Sequence, residues 1–267
     1  MKENRTKGLL VVSFGTSVAE TRAKTIDALD GDLKEAFPDR AFYRAWSSRF
    51  ILKKVREKEG LEIDNVSEAL LRMSDDGITD LLVQPTYIGP GKEYDLMIAS
   101  LKEYRDRFGT IRVGRPLLMT ETDRREAAEL VKTLFPQVKA SDRLVLMGHG
   151  VPDGDNSVYH DMNRQFESLG LPNVFMGLVE AEPSLDEVRE WLGSSPQDSG
   201  RTVWLTPFLI VAGDHALNDM AGDEPDSWKE TLKADGFEVN CILKGLGEYE
   251  EIRKTFERHA REAETLS

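Results

Sequence analysis

Short apolar runs alternate along the chain with longer segments whose apolar positions recur every three to four residues. The short runs predict β-strands and the longer segments predict amphipathic helices. In the first half, strands are predicted at residues 8–14, 41–46, 80–84 and 111–113, and helices at 18–37, 66–73, 92–108 and 123–135. In the second half, strands are predicted at 143–147, 174–178, 202–207 and 238–243, with helices between them and a last helix at 248–263.

Strands that alternate with helices are typical of parallel sheets covered on both faces. The pattern breaks near Phe135-Pro136-Gln137, where a helix ends at proline and a second series begins. The sequence therefore predicts an α/β protein with an N-terminal domain at residues 1–136 and a second domain at 137–246. The terminal helix occupies residues 247–267.

The two halves align with each other at the ends of two predicted strands. This agreement indicates duplication of a βα module, with chance similarity between short apolar strands as the alternative. The aligned pairs are Ser13 with Gly148, Phe14 with His149, Gly15 with Gly150, Pro85 with Pro207, Gly91 with Gly213 and Glu93 with His215.

Charge and composition exclude several classes of function. The 267-residue chain has a net charge of -13, which disfavours general binding to a phosphate backbone. It contains no membrane-length apolar run, and its start lacks a signal-peptide pattern, so we expect a cytoplasmic protein with no membrane or nucleic-acid partner. The single cysteine, Cys241, cannot form an intramolecular disulfide or a thiolate cluster, and a buried bystander role is expected.

Two of the four histidines follow predicted strands directly or closely, at positions where α/β sheets form ligand crevices. These are His149 and His215, and Glu180 follows a third strand. Two imidazoles and a carboxylate suit cobalt, nickel, iron or zinc. The alternative is that the histidines are ordinary polar residues and that Glu180 begins a helix. His160 and His259 lie in polar helical segments and are predicted to be surface residues.

The segment from Ser13 to Ser17 combines hydroxyls with a glycine between a strand and a helix. It lacks the spacing of a nucleotide-binding loop. The alternative to a ligand contact is that Thr16 or Ser17 caps the next helix, with help from Glu20. No Gly-x-Ser-x-Gly motif supports a hydrolase. A basic cluster predicts either a solvated helix face or a surface that steers a polycarboxylate; it contains Arg44, Arg49, Lys53, Lys54 and Arg56.

With these residues in view, the sequence resembles the class II anaerobic cobalt chelatases of the longer, two-domain type. The resemblance covers nearly the whole chain. It implies a chelatase fold of two flavodoxin-like three-layer domains, with a tetrapyrrole in the interdomain cleft and the terminal helix packed on the first domain. The motifs that carry it are residues 13–17 followed by Glu20-Thr21, Gln84-Pro85, Met147-Gly148-His149-Gly150, and the block 206–223.

The resemblance also implies a function: insertion of Co²⁺ into sirohydrochlorin, with loss of two protons, in the anaerobic cobalamin pathway. His149, Glu180 and His215 would hold the metal, and Glu93 would belong to the active site. One histidine or Glu93 would accept protons, and no cofactor is expected beyond the divalent metal substrate. The alternatives are insertion of iron or nickel, or a non-catalytic protein that binds metal or tetrapyrrole. Homo-oligomerisation is left open.

Substrate contacts are expected from residues near the strand ends of the first half. The hydroxyls of Ser13, Thr16 and Ser17 would meet substrate carboxylates. Phe14, Tyr87 and Phe208 are candidates for contacts with the macrocycle, although core packing is the favoured alternative for all three.

Overall fold

A computed structural model describes residues 6–152, 154–194 and 201–267. The strands are β1 (Lys7–Ser13), β2 (Ala41–Trp46), β3 (Asp80–Pro85), β4 (Thr110–Val113), β5 (Arg143–Gly148), β6 (Val174–Leu178), β7 (Thr202–Pro207), β8 (Glu238–Cys241) and β9 (Glu264–Thr265). The helices are α1 (Ala19–Lys24), α2 (Ile26–Ala36), α3 (Arg49–Glu59), α4 (Val66–Asp75), α5 (Lys92–Glu103), α6 (Glu121–Leu134), α7 (Ser157–Ser168), α8 (Leu185–Gly193), α9 (Trp228–Ala234) and α10 (Glu250–Arg261). Within these described ranges, none of the helices combines the length and the apolar character that crossing a bilayer requires.

The chain divides into two compact units, Met1–Met119 with Gly247–Ser267, and Thr120–Leu246. The division lies before α6, whereas the sequence predicted it after this helix, at residue 136. The physical reason is that α6 packs against α7, and Arg124 on α6 forms an ion pair with Asp161 on α7 at 3.3 Å. The proline that ends α6 therefore marks a helix end and not a domain boundary.

Unit 1 is built on a sheet with the strand order β2-β1-β3-β4-β9, in which only β9 is antiparallel to its neighbour. The interior strand β1 is apolar on both faces, since Leu10 and Val12 pack into one hydrophobic cluster and Leu9 and Val11 into another. A strand buried on both sides requires helices on both sides. One of these is α10, which contacts α2 and β3.

Unit 2 has the strand order β6-β5-β7-β8, and all its pairs are parallel. Its core includes Val145 and Met147 from β5, Val203 and Leu205 from β7, and Trp228 from α9. Ser184 and Glu187 form a reciprocal capping box that fixes the start of α8. Because these strand pairs are parallel, the carboxyl ends of β5, β6 and β7 lie at the same edge of the sheet.

The strand registers confirm the internal repeat predicted from the sequence. The order β2-β1-β3-β4 in unit 1 matches β6-β5-β7-β8 in unit 2. The residue pairs match as well, since Val12 pairs with Pro85 in unit 1 and Met147 pairs with Pro207 in unit 2. The next amide bonds back in the same way in both units: Thr86 N donates to Val12 O and Phe208 N donates to Met147 O, both at 2.8 Å. On the other side, Ser48 N donates to Phe14 O at 3.2 Å, and Glu180 N donates to His149 O at 2.9 Å. Phe14 and His149 therefore occupy equivalent positions, and so do Ser48 and Glu180.

Two predicted helices are interrupted. The helix predicted at 18–37 is broken at Thr25, which leaves the helical conformation with φ -120° and ψ -81°. Its hydroxyl donates to the carbonyl of Thr21 at 2.6 Å, a local bond that competes with helical hydrogen bonding. The helix predicted at 92–108 ends at Glu103 and continues as a short 3₁₀ turn, Arg105–Arg107.

Candidate metal site and its surroundings

His149 and His215 come together at the carboxyl edge of the unit 2 sheet. His149 directly follows β5, and His215 lies in the connection that follows β7, just before a π-helical turn at Ala216–Met220. Their ring centroids are 4.8 Å apart and the planes are nearly perpendicular, at 88°. The sequence predicted this pairing because adjacent parallel strands end at the same edge.

Each imidazole already uses its Nδ1 atom within unit 2. Nδ1 of His149 lies 2.6 Å from the carbonyl oxygen of Gly150, and Nδ1 of His215 lies 2.7 Å from Oδ2 of Asp219. A carbonyl oxygen and a carboxylate only accept hydrogen bonds, so both Nδ1 atoms are donors. In the neutral rings the Nε2 atoms then carry the lone pairs, which are the form that binds a metal.

Glu180 does not join the histidine pair to form the predicted three-residue site. In the described ranges, no group of three His, Cys, Asp or Glu side chains is arranged to hold a metal ion. The main chain of Glu180 is bonded to that of His149, but its exposed side chain lines a cavity of about 610 Å³ together with Asp155, His160 and Glu182. The role of Glu180 as a metal ligand thus stays a prediction.

Glu93, which aligns with His215, is the second residue of α5 in unit 1 and is half-buried. Tyr87 is 8% exposed, and its hydroxyl group is buried. Burial raises the pKa of Tyr87 well above its ordinary value, and the charge of Glu93 adds to this effect. Ser47 exerts a smaller opposing effect without reaching hydrogen-bond geometry, so the phenol is a buried, protonated group that the charge of Glu93 influences.

The hydroxyl-rich segment after β1 is only partly available to a ligand. Ser13 is 3% exposed and its hydroxyl is hydrogen-bonded to that of Thr86 at 2.8 Å, so it links β1 to the end of β3. Thr16 is buried and accepts from the amide of Val18 at 3.2 Å. Ser17 is half-buried, and Phe14 is 49% exposed.

The alternative of a helix cap in this segment is wrong. The N-cap residue of α1 is Val18, which provides no side-chain hydrogen bond, and Glu20 pairs with Lys24 at 2.6 Å. Thr16 lies two residues before the N-cap and so does not act as the cap. Its oxygen bonds to the cap residue's own amide instead.

The predicted basic cluster is divided between two elements: Arg44 lies on β2, and the other four residues lie on α3. Arg44 pairs with Asp27 at 2.6 Å and with Asp30, while Arg56 pairs with Glu62 at 2.7 Å. Lys53 is 3.8 Å from Glu57. On α3, Lys54 lies 5.8 Å from the ring centroid of Phe50, which is 71% exposed.

Arg49 is the member of the cluster best placed to meet a substrate. Across the part of the chain that the structure describes, its side chain makes no hydrogen bond, ion pair or ring contact, and the residue is exposed. It is the first residue of α3, directly after Ser48, whose amide is bonded to Phe14. In a strongly acidic protein, an unpaired guanidinium is thus carried by the residue that follows the main-chain bond between Ser48 and Phe14.

The other residues singled out in the sequence lie away from these groups or inside the core. His160 is exposed on α7, as predicted, and Phe208 is 1% exposed and belongs to the core.

His259 is fully buried, so its predicted surface position is wrong. Its place on the apolar face of α10, with Phe256 and Ala260, explains this, and its Nδ1 bonds to Arg115 O at 3.1 Å. Cys241 is half-buried, and burial raises the pKa of its thiol.

Asp219 is a residue that the sequence reasoning did not identify as part of the site. It lies four residues after His215 in the distinctive block 206–223, and this spacing places two side chains on one face of a helical turn. The i, i+4 relation between a histidine and a carboxylate was the signal that could have revealed it.

Comparison with known proteins identifies the family. The family model for cobalt chelatase (CbiK) matches residues 7–265. The chain is 35% identical over 258 residues to a sirohydrochlorin cobaltochelatase of Salmonella typhimurium, with 96% of both chains covered. It is 33% identical over 247 residues to the sirohydrochlorin cobaltochelatase CbiKC of Nitratidesulfovibrio vulgaris, with 91% of this chain and 86% of that protein covered.

Solved structures support the fold. SirB from Bacillus subtilis with Fe³⁺ matches with a TM-score of 0.66 at 16% identity, covering 96% of this chain and 95% of that one. CbiX, described as the terminal enzyme for siroheme biosynthesis in denitrifying bacteria, matches with a TM-score of 0.52 at 15% identity, covering 96% and 99%. The predicted α/β chelatase fold with parallel sheets is therefore confirmed. The chain belongs to the cobalt chelatase (CbiK) family.

Proposed function

We propose that this protein is an enzyme that inserts Co²⁺ into sirohydrochlorin, with release of two protons, as a step of anaerobic cobalamin biosynthesis. The family match spans residues 7–265, and both relatives named above carry this activity in their names. The observation that carries the chemistry is the pair His149 and His215, with ring centroids 4.8 Å apart and both Nδ1 atoms engaged as donors.

The histidine pair provides two neutral nitrogen ligands for the incoming ion. Metal-bound nitrogen atoms lie about 2 Å from ions of this kind, so rings at this separation can share one ion. Two imidazoles bind a divalent cation without neutralising it, which leaves it able to exchange these ligands for the nitrogens of the macrocycle. Glu180, whose carboxylate makes no hydrogen bond or ion pair in the described ranges, supplies a third ligand after rotation of its side chain.

Glu93 is the proton acceptor in this proposal. While the histidines hold the metal, their Nδ1 atoms donate hydrogen bonds and their Nε2 atoms bind the ion, so neither ring retains a lone pair for a proton. The carboxylate of Glu93 has no hydrogen-bond partner in the described part of the chain, and its charge acts on the protonated phenol of Tyr87. This half-buried carboxylate can accept one pyrrolic N–H proton, pass it to water and then accept the second.

The substrate is recognised by an apolar and a cationic element of unit 1. Phe14 presents an exposed ring for contact with the macrocycle, and Arg49 provides an unpaired guanidinium for a peripheral carboxylate. Ser17 offers a further hydroxyl contact, whereas Thr16 is buried and Ser13 is enclosed by its bond to Thr86. The metal is consumed as a substrate, and the exchange of two protons for a divalent ion requires no redox cofactor.

The test is an absorbance time course with purified protein, sirohydrochlorin and one divalent metal at a time. At substoichiometric protein, cobalt insertion must exceed one equivalent per chain; a spectral change that stops at one equivalent would identify a binding protein. Nickel and ferrous iron, run separately and in competition with cobalt, decide between the proposed metal and the alternatives. Faster insertion of iron or nickel than of cobalt at equal free concentrations would contradict the assignment.

A further inference from the structure

The carboxylate of Asp219 is the direct partner of His215. Its Oδ2 atom lies 2.7 Å from His215 Nδ1, and both side chains are partly exposed, at 46% and 33% respectively. We propose that Asp219 is a positioning residue that orients His215 and fixes its tautomer for cobalt binding. This inference rests on the proposed function, because it takes His215 to be a cobalt ligand.

The local backbone holds the two side chains together. His215 has helical dihedral angles, φ -59° and ψ -39°, at the start of the turn Ala216–Met220. The amide of Ala221 donates to the carbonyl of Ala216 at 3.3 Å, five residues back, which widens the turn into a π-helix. Ala216 and Met220 are both fully buried and anchor the turn.

The turn is also closed in a way that only glycine permits. A Cβ atom at Gly222 would lie 2.3 Å from the carbonyl oxygen of Asn218, which is a main-chain atom that cannot easily move away. Gly222 instead donates to this oxygen at 3.0 Å. The sequence therefore commits the backbone around Asp219 to one conformation, which keeps the carboxylate in reach of His215.

The internal repeat shows that the carboxylate accompanies the imidazole. The alignment that places Glu93 at the position of His215 places Met97 at the position of Asp219. Met97 is a core residue of unit 1, 1% exposed. Unit 1, which has no histidine at this position, thus has a buried apolar residue where unit 2 has a carboxylate.

The two histidines are held by different kinds of partner, and this difference makes the proposal testable. The partner of His149 is the main-chain carbonyl of its neighbour Gly150, which no side-chain substitution removes. The partner of His215 is a side chain. Without it, the ring can rotate and place its proton on either nitrogen, and partners of this kind typically contribute 10- to 100-fold to metal affinity.

The experiment measures cobalt affinity by titration calorimetry for the full-length protein and for Asp219→Ala, Asp219→Asn and His215→Ala. Asp214→Ala is the matched control, because Asp214 also accepts a hydrogen bond from a side chain four residues later, that of Asn218 at 3.0 Å, without touching a histidine. We expect Asp219→Ala to weaken cobalt binding by about 10- to 100-fold and to raise the KM for cobalt more than it lowers kcat. Asp214→Ala should bind as the wild type does.

Nitrogen-15 NMR of the histidine rings provides a second readout that a purely structural role would not move. Wild-type His215 should show a proton on Nδ1, and Asp219→Ala should show a mixture of tautomers with His149 unchanged. Wild-type cobalt affinity in Asp219→Ala, or an equal loss in Asp214→Ala, would overturn the inference. Should Asp219→Ala fail to fold, Asp219→Leu decides by the same measurements, because leucine is similar in size and has no hydrogen-bond acceptor. Asp219→Asn keeps an oxygen that can accept from Nδ1 and should bind cobalt more tightly than either variant. If His215→Ala itself binds cobalt normally, the proposed metal site is wrong and the inference falls with it.

Discussion

Gly150 holds His149 of the proposed metal site through its carbonyl oxygen, and replacing Gly150 with alanine tests whether this geometry matters. Gly150 has φ +78°, in the left-handed region, and its carbonyl oxygen accepts the hydrogen bond from His149 Nδ1. An added Cβ would lie 2.9 Å from Cβ of Ala181 and 3.2 Å from its amide nitrogen. Because Ala181 follows Glu180, the substitution pushes apart the segments that carry His149 and Glu180.

The expected loss of stability has two parts. A non-glycine residue in the left-handed conformation costs roughly 1–2 kcal/mol. Relief of the close contact with Ala181 adds roughly 1–3 kcal/mol, as for other overpacked sites. The sum of about 2–5 kcal/mol is below the stability of most domains, so the variant should still fold. Displacement of His149 by the shifted loop should lower cobalt insertion by about 100-fold.

Gly170→Ala is the matched control in the same unit. Gly170 has φ +68°, but an added Cβ there meets nothing within 4 Å, so only the conformational cost of roughly 1–2 kcal/mol applies. Urea unfolding measures both stabilities, and the absorbance assay measures cobalt insertion. If Gly150→Ala matched Gly170→Ala in stability and kept wild-type activity, the reasoning about this loop would be refuted.

Three further predictions concern unit 1. Burial raises the pKa of Asp30 to about 7 against the opposing charge of Arg44, so the folded state holds this proton longer than the unfolded state does. The free energy of unfolding of the wild type, relative to that of Asp30→Asn, should therefore fall as the pH rises from 4 to 7, by at most about 1.4 kcal/mol per pH unit. Urea unfolding measures this difference, and a difference that does not change with pH would contradict the raised pKa of Asp30. Arg49→Ala should raise the KM for sirohydrochlorin up to about fivefold at low salt and less at high salt, whereas the exposed control Lys132→Ala should not; equal effects would remove Arg49 from the substrate site. Glu93→Gln should lower kcat by about 10²- to 10⁴-fold without changing cobalt affinity, and an unchanged kcat would exclude Glu93 as the base.

The sequence predicted the sheets and the histidine pair because both depend on local patterns. Apolar runs that end in glycine or proline identified the strands of both units, and the strand ends placed His149 and His215 at one edge. The alignment of Phe14 with His149 was also readable from the residues, since equivalent strands keep equivalent registers.

Other features could not be predicted because they depend on packing between distant segments. The helix α6 groups with unit 2 through α7, so a proline at the helix end gave the wrong boundary at residue 136. His259 is polar in a charged helix but lies on its buried face, which only the contacts of α10 with α2 and β3 show. Thr25 breaks a helix whose apolar period continues across it.

The central claim is that His149 and His215 together hold the cobalt ion that is inserted. X-ray absorption spectroscopy of the cobalt-loaded protein, before sirohydrochlorin is added, counts the imidazole ligands directly. The account predicts two imidazoles in the wild type, one in each of the variants His149→Ala and His215→Ala, and loss of cobalt insertion in both. A wild-type spectrum without imidazole ligands, or single variants that keep both the spectrum and the activity, would contradict it.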